Sequence, residues 1–229
     1  VVQTQCDVNV CPPGKPVHKW QVFRHICEAR PELGISDRAL GILNALVSFH
    51  PDTVLVSGSV DLVVYPSNRQ LALRAHGVAP STLRRHLASL IAAGLLLRRD
   101  SPNGKRYARR AANGDVDYAF GFDLSPIVAR ADEFARIAER IAKERQAIDL
   151  LREQATLSRR DIAKMIAAGV EDGVDADWST IHHDFRQLVA RLPRVPSREA
   201  LQPLVQELAM LAASVLEILR HHLDQHGQT

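Results

Sequence analysis

The order of local structural signals between residues 36 and 110 constrains the fold of this chain more strongly than any other feature. Apolar side chains recur there at helical spacing in three segments, each bounded by a serine, a proline or a glycine. The three predicted helices span about 36–49, 67–76 and 80–93. A short β-branched strand at 62–65 precedes the second helix, and Gly77 and Gly94 are placed to end the second and third helices in left-handed backbone.

The segment after the third helix has the pattern of a β-hairpin. Residues 95–99 and 105–109 are the predicted strands, and the SPNG tetrapeptide at 101–104 is the predicted turn between them. Helix, strand, helix, turn, helix and hairpin follow one another in the order of a winged helix-turn-helix. The sequence therefore predicts a mainly α fold with a winged helix-turn-helix domain.

The N-terminal flank predicts an arm followed by one further helix. Three prolines and a glycine between positions 12 and 16 indicate an extended lead-in, so residues 1–18 are expected to form a flexible arm. Apolar spacing over residues 19–29 predicts a helix, which Pro31 is expected to stop. The winged-helix domain is therefore expected to span about residues 19–125.

The C-terminal half of the chain has a helical pattern throughout. A seven-residue apolar repeat runs from Ile127 to Ile162, with a complementary seam that polar residues interrupt. This repeat predicts a long helix, or two helices in line, packed along another helix. Two further helices are predicted at about 178–192 and 197–226. Residues 126–229 are therefore expected to form an α-helical appendage.

Positive charge is concentrated on the predicted helix-turn-helix and hairpin. Residues 67–110 contain ten Lys and Arg against a single acid, Asp100, whereas the rest of the chain has 19 basic and 25 acidic residues. The formal net charge of +3 therefore conceals a polarised molecule. A basic patch on this pattern of elements is what docking on duplex DNA requires.

The third predicted helix has the outward face of a helix that reads the major groove. Its core-facing arc is expected to consist of Leu83, Leu87, Leu90 and Ile91. Arg85 points away from that arc among small side chains, which lets the backbone approach the groove floor, so Arg85 is the main candidate for bidentate contact with a guanine. The predicted base-reading residues are Arg85, Arg84, Ser81, Thr82 and Ser89.

The remaining basic residues of this region are expected to hold the DNA backbone. Wing contacts with phosphates position a protein rather than select a sequence. The predicted phosphate-contacting residues are Ser67, Arg69, Arg74, Arg98, Arg99, Lys105, Arg106, Arg109 and Arg110. Loss of Lys105 or Arg106 is expected to weaken binding to all sequences and to lower its salt dependence. The alternatives for these surfaces are a solvated helix face and a charged strand edge that prevents aggregation.

Other kinds of site find little support in the chain. Cys6, Cys11 and Cys27 show no disulfide framework, which favours a reducing, cytoplasmic location. Together with His18 or His25 they match no common zinc spacing, so neither a metal nor another cofactor is expected. No catalytic constellation or phosphate-binding loop stands out, so an enzyme is not expected. No apolar run approaches the roughly 20 residues of a membrane span, so no membrane partner is expected either.

Three stretches of the chain resemble one known family. They are KWQVFRHICEARPELGISDRALGILNALVSFHP from residue 19, VVYPSNRQLALRAHGVAPSTLRRHLASLIAAGLLLRRDSPNGKRYARR from residue 63, and FGFDLSPIVARADEF from residue 120. With weaker similarity at 157–166 and 191–201, the chain resembles the RepC replication initiators of repABC plasmids. Members of that family are longer, so the resemblance implies that this chain is the N-terminal part of such a protein, followed by a further domain.

The resemblance implies a function that the residues alone do not indicate. It implies initiation of plasmid replication by binding to double-stranded DNA at an origin inside the initiator's own coding sequence, with host replication proteins recruited afterwards. The DNA-binding assignment carries over at 67–76, 81–93 and the SPNGKRYARR wing. The residues by themselves indicate binding to duplex DNA only.

Two other functions stay open at the level of sequence. A winged-helix transcriptional repressor, dimerised by the long helix, would bind a palindromic site in a promoter. A protein-interaction module with the same fold would bind no duplex. The partner of the long helix also stays open between the following helices of the chain, a second copy in a homodimer, a partner protein and a further domain.

Overall fold

The computed structural model describes residues 15–56, 62–110 and 116–226 of the chain. Within these ranges the protein is mainly helical, as the sequence predicts. The helices are α1 (Lys19–Leu33), α2 (Asp37–Phe49), α3 (Asn68–Arg74), α4 (Pro80–Ala92), α5 (Ser125–Ala129), α6 (Ala131–Glu171), α7 (Trp178–Ala190) and α8 (Arg198–His226). The strands are β1 (Pro16–His18), β2 (Val54–Val56), β3 (Val63–Val64), β4 (Leu97–Arg99), β5 (Tyr107–Arg110) and β6 (Val116–Asp123).

The chain divides into two compact units inside α6. The first unit is Val1–Ile141 and the second is Ala142–Thr229. The core of the first unit includes residues from α5 and from the start of α6, namely Ile127, Val128, Ala131 and Phe134. These four side chains pack with the helices that precede them. The first unit therefore extends beyond residue 125, where the sequence predicts the domain boundary.

The core of the first unit is built around α2, which packs against α1, α3 and α4. Helices α2 and α4 bury the apolar stripes that their sequence spacing predicts. Helix α1 instead buries Val22, Ile26 and Ala29, and Trp20 of its predicted stripe is exposed. Side chains with no exposed surface include Ile26, Leu43, Leu46, Leu71 and Leu90. With α2 at the centre, α3 and α4 lie side by side and expose their polar faces to solvent.

Local capping explains where α2 and α3 begin and where α1 ends. The Ser36 hydroxyl accepts from the Ala39 amide at the start of α2, and Ser67 forms a reciprocal capping box with Gln70 at the start of α3, as predicted. Pro31 does not stop α1, which continues to Leu33 and ends at Gly34 in left-handed backbone (φ 63°). The helix tolerates Pro31 because it lies in the last turn, where only one backbone hydrogen bond is lost.

The strand pairing differs from the predicted hairpin. Residues 101–104 do form a turn, closed by a 3.1 Å hydrogen bond from the Gly104 amide to the Ser101 carbonyl. However, β4 and β5, whose backbones are both fully described, pair with β6 rather than with each other. β4 lies antiparallel to residues 121–123 of β6, and β5 to residues 116–120. The hairpin is therefore β5–β6, and its connection at residues 111–115 lies outside the described residues.

The long strand β6 explains this pairing physically. Its eight residues provide backbone partners for β3, β4 and β5, whereas a hairpin of β4 with β5 would take the partner strand away from residues 116–120 of β6. No strand is predicted from the sequence at these positions. A signal was present, since the apolar side chains of β6 alternate with small or acidic ones at the period of a strand. Those apolar residues are Val116, Tyr118, Phe120 and Phe122.

Residues 15–18 belong to the folded unit rather than to an arm. β1 pairs antiparallel with β2, and the central residues Val17 and Leu55 are both buried. Residues 1–14, which include Cys6 and Cys11, lie outside the described residues. For residues 1–14 of the arm predicted at 1–18, flexibility therefore stays a prediction.

The second unit has a helical core of its own. Ala155, Ile162 and Ile166 of α6 pack with Leu208 of α8, and the apolar face of α7 closes over them. The seven-residue repeat of the long helix thus serves two cores, because its first members lie in the first unit and its later members in the second. At these positions the partner of the repeat is the chain itself.

One helix has the composition of a membrane span. Among the described residues, only α8 is long and apolar enough to cross a membrane by length and composition alone. Its buried side chains recur on a single face, as in a helix that packs on a protein core. These side chains are Leu201, Leu204, Leu208 and Val215. A lone helix of this kind is weak evidence for a membrane span.

Candidate nucleic-acid interface

Helix α4 presents a narrow exposed face of two arginines among small side chains. Its opposite face is anchored by Leu83, Leu87 and Leu90, which are buried in the core of the first unit. Pro80 occupies the first turn, where the missing amide hydrogen costs no helical hydrogen bond. The exposed residues are Ser81, Arg84, Arg85, Ala88 and Ala92. Arg84 and Arg85 are therefore the only large side chains among these exposed residues, and the small residues beside them leave the helix backbone accessible.

The predicted base-reading residues divide into an exposed and a partly covered group. Ser81, Arg84 and Arg85 are exposed, whereas Thr82 and Ser89 are half-buried at the margins of the same face. Arg84 forms no hydrogen bond or ion pair with any described residue. The two arginines and Ser81 are thus the side chains of this set that a ligand can reach most directly.

The guanidinium of Arg85 lies beside the imidazole of His86. Arg85 Nη2 lies 3.5 Å from His86 Nε2, and His86 Nδ1 lies 3.3 Å from the hydroxyl of Ser36 at the start of α2. The pKa of His86 is lowered, mainly by burial and further by the charges of Arg85 and Arg38. A lowered pKa favours the neutral form of the imidazole. Because Arg85 can only donate, Nε2 is the accepting nitrogen and Nδ1 donates to Ser36.

Arg38 is a candidate contact residue that the sequence did not indicate. It is exposed in the first turn of α2, and its charge acts on His86 of α4. The two residues lie far apart in the chain, so no local spacing could connect them. The packing of α2 against α4 adds this cation to the margin of the exposed face of α4.

Two of the predicted phosphate-contacting arginines are paired with carboxylates. Arg98 Nε donates to the exposed Asp100 over 2.7 Å. Arg99 Nε and Nη2 both donate to Asp123 Oδ2, over 2.8 and 2.6 Å. Asp123 is 1% exposed and also accepts from the Ser125 amide at the start of α5. The Arg99 charge is therefore largely committed to the end of β6.

Replacement of Asp123 by alanine is expected to lower the free energy of unfolding of the first unit by about 2 kcal/mol, because a buried acceptor of several hydrogen bonds is lost. Replacement of Asp100 by alanine is the matched control, and the loss of its exposed ion pair is expected to cost under about 1 kcal/mol. Urea denaturation of the two variants measures both values. Equal losses would contradict the structural role of Asp123.

Two further arginines support the fold through their guanidinium groups. Arg106 Nη1 donates to the Pro66 carbonyl over 2.9 Å, and its guanidinium lies 4.3 Å from the centre of the Phe122 ring. Burial lowers the pKa of Arg106, and the neighbouring charge of Arg98 adds to this. The Arg74 guanidinium lies 3.7 Å from the centre of the Phe49 ring. Phosphate contact by Arg74 or Arg106 remains a prediction and would require these contacts to change.

Three of the remaining predicted residues, Arg69, Lys105 and Arg109, are exposed. The guanidinium of Arg69 and the ammonium of Lys105 form no hydrogen bond or ion pair with any described residue, whereas the Lys105 backbone is bonded to Ser101 and Asn103. Arg109 is exposed and donates to the Tyr118 hydroxyl over 3.1 Å. Ser67 is occupied as the N-cap of α3, and the Arg110 side chain lies outside the described part of the chain.

An open cleft lies between the start of α3 and the loop that joins β4 to β5. Its volume is about 460 Å³. Four basic side chains and one carboxylate line it, together with amide and hydroxyl side chains. They are Arg98, Arg99, Lys105 and Arg106, then Asp100, and then Tyr65, Ser67, Asn68, Gln70 and Ser101. This lining suits an anion better than an apolar ligand. Of its four cations, Lys105 is the one that no described carboxylate or carbonyl engages.

No cluster of metal-binding side chains was found in the described parts of the chain. Groups of three or more His, Cys, Asp or Glu that could hold a metal ion do not occur there. His182 and His183 lie exposed on α7, beside an open groove.

The thiol of Cys27 is not activated as a nucleophile. Burial, with a contribution from Glu28, raises its pKa and keeps it protonated.

The family model and the curated relatives that match this chain all concern one kind of protein, replication protein C. Residues 2–170 match the family model of the replication protein C N-terminal domain. A protein from Sinorhizobium fredii that carries the name replication protein C is 50% identical over 211 residues, which cover 92% of this chain and 52% of that protein. One of the same name from Rhizobium rhizogenes is 45% identical over 219 residues, 96% of this chain and 54% of that protein. The chain thus spans about half the length of these curated relatives. No solved structure matches it.

Proposed function

Because this chain belongs to the replication protein C family, we propose that it acts in the initiation of plasmid replication by binding duplex DNA at the plasmid origin. The proposed DNA-binding element is a winged helix within residues 19–125, with α4 as the helix that enters the major groove. Residues 126–229 are the proposed helical appendage. The proposed location is the cytoplasm, and a homodimer and host replication proteins remain predicted partners.

The observation that carries this proposal is the exposed face of α4. A major-groove helix needs one face fixed in a core and the opposite face able to approach the base edges. Leu83, Leu87 and Leu90 provide the first condition, and Arg84 and Arg85 among small residues provide the second. An arginine in such a position has the fork of donors that fits the O6 and N7 atoms of guanine.

The backbone contacts are proposed to come from cations on both sides of α4. Lys105, Arg69 and Arg109 are exposed and lie on the elements that flank it, and the charge of Arg38 lies at the margin of α4 itself. Contacts of this kind neutralise phosphates and contribute affinity without sequence selection. The β5–β6 hairpin is the proposed wing, in place of a hairpin with its tip at residues 103–104.

A footprint of the chain on the plasmid's replication region tests the proposal directly. The expected result is protection of a defined segment in the origin at protein concentrations that leave the flanking DNA unprotected. Protection of a palindromic promoter site alone would support a transcriptional repressor instead. Binding that is absent at every salt concentration would support a protein-interaction module and contradict the proposal.

Replacement of Lys105 by alanine is expected to weaken binding to origin and unrelated duplexes by the same factor. The slope of log K against log salt concentration should fall by about one unit, because one phosphate contact is lost. Titrations at several salt concentrations measure this slope. Replacement of Lys164, an exposed lysine of α6 in the second unit, is the matched control and should leave the slope unchanged. An unchanged slope for the Lys105 variant would refute the phosphate contact.

A further inference from the structure

The C-terminal end of α4 is held by an arginine that does not belong to the helix. Arg130 lies between α5 and α6, and its Nη1 donates to the carbonyl oxygens of Ala93 and Gly94 over 2.9 and 3.0 Å. The last carbonyls of a helix lack partners inside it and carry partial negative charge. The last turn of α4 contains no basic residue of its own. Arg130 therefore supplies the cation that this helix end lacks.

Arg130 is itself fixed in place by neighbours at the start of α6. Its Nε and Nη2 donate to the two carboxylate oxygens of Glu133, over 2.9 and 2.8 Å. The guanidinium also lies 4.8 Å from the centre of the ring of the fully buried Phe134. These hydrogen bonds from Arg130 are the main reason that the pKa of Glu133 is lowered. A bidentate pair against a buried ring leaves the guanidinium little freedom to move.

Gly94 provides the space in which this contact is made. Its φ of 65° is a left-handed conformation that favours glycine, and a Cβ atom there would lie 3.1 Å from Arg130 Nη1. The glycine that ends α4 therefore also allows the guanidinium to approach the two carbonyls. The helix end, the glycine and the arginine form one contact.

We propose that Arg130 is a positioning residue for sequence recognition by α4. This inference rests on the proposed DNA binding. Arg85 lies about 12 Å along the helix from the held end, at 1.5 Å per residue. Bidentate contact with a base edge depends on donor–acceptor distance and angle, both of which a tilt or fraying of α4 would alter. Contacts with phosphates are less demanding, so a loss of positioning should reduce discrimination before it reduces overall binding.

The test is the ratio of dissociation constants for an origin duplex and a scrambled duplex of equal length, measured with the whole chain. Arg130→Met keeps the apolar stem and removes all the donors. We expect it to lower the ratio by about tenfold, with the scrambled-duplex constant within about twofold of the wild type. Arg130→Lys retains an ammonium that can reach both carbonyls and should recover most of the ratio. Arg140→Met, an exposed arginine of α6, is the control and should leave the ratio unchanged.

Thermal melting establishes that each variant is folded at the temperature of the binding assay. If Arg130→Met does not fold, Glu133→Gln serves in its place, because it keeps Arg130 but weakens the pair that orients it, and a fall of about threefold is expected. A folded Arg130→Met protein with the wild-type ratio would overturn the positioning role alone. A wild-type ratio near one would instead overturn the proposed origin binding, so the two failures are distinguishable.

Discussion

Replacement of Arg85 by alanine is expected to reduce the affinity for the plasmid origin by roughly 5- to 150-fold, because a bidentate contact with guanine is worth about 1–3 kcal/mol. Arg85 is the exposed cation of α4 that points away from the buried leucines. The affinity for unrelated duplexes should fall much less, since only one charge is lost. Fluorescence anisotropy titrations with origin and scrambled duplexes at fixed salt concentration measure both affinities.

Two further variants separate base reading from simple charge. Arg85→Lys keeps the positive charge but loses the planar fork of donors, so it should bind scrambled DNA like the wild type and lose its preference for the origin. Arg220→Ala, an exposed arginine of α8, should change neither affinity. An Arg85→Lys protein with full origin preference would contradict bidentate reading by Arg85.

Replacement of Leu90 by alanine is expected to lower the free energy of unfolding of the first unit by about 2–5 kcal/mol. Leu90 is a residue of α4 whose side chain has no exposed surface, and it packs into the core of the first unit. Its truncation removes apolar contacts and leaves a cavity that the surrounding helices cannot close completely. Urea denaturation followed by circular dichroism measures the change.

Leu73 provides the matched control for this substitution. It is a leucine of the neighbouring helix α3, but 77% of its surface is exposed. Leu73→Ala should change stability by no more than about 0.5 kcal/mol. If the two substitutions cost the same, α3 and α4 do not bury the faces described above.

The helices could be predicted from the sequence because their signals are local. Ser36 and Ser67 accept from backbone amides three residues ahead, and Gly77 and Gly94 both adopt left-handed backbone at helix ends. Two helix ends differ from the prediction. Pro31 does not stop α1, because its effect depends on its position within a turn. Helix α3 ends at Arg74 rather than at the predicted His76, and His76 itself adopts left-handed backbone (φ 61°) ahead of Gly77. Helix boundaries therefore followed from residues within four or five positions of each end.

The strand pairing could not be predicted in the same way. The SPNG segment forms its turn, yet the strands on either side of it pair with β6. A turn signal describes four residues, whereas the choice of partner depends on every strand that can offer free backbone groups. The alternation of apolar and small or acidic side chains in β6 is visible in the sequence, but its pairing with β3, β4 and β5 is not.

The candidate site shows the same division at the level of side chains. Periodicity alone placed Arg85 opposite the buried leucines, and the structure exposes it there. Charge alone grouped Arg99 and Arg106 with Lys105, but Arg99 is paired with the buried Asp123 and Arg106 donates to the Pro66 carbonyl. Only Lys105 of these three has its charge unengaged by a described carboxylate or carbonyl.

The sequence by itself determined the mainly helical fold, the buried and exposed faces of α4, and the concentration of positive charge on residues 67–110. These properties depend on residue spacing within one element, where the geometry of the helix is already known. The tertiary structure decided which strands pair, which arginines are accessible and that Arg130 holds the end of α4. Each of these depends on groups that are remote in the chain and meet only when the helices and strands pack, so no local pattern could specify them.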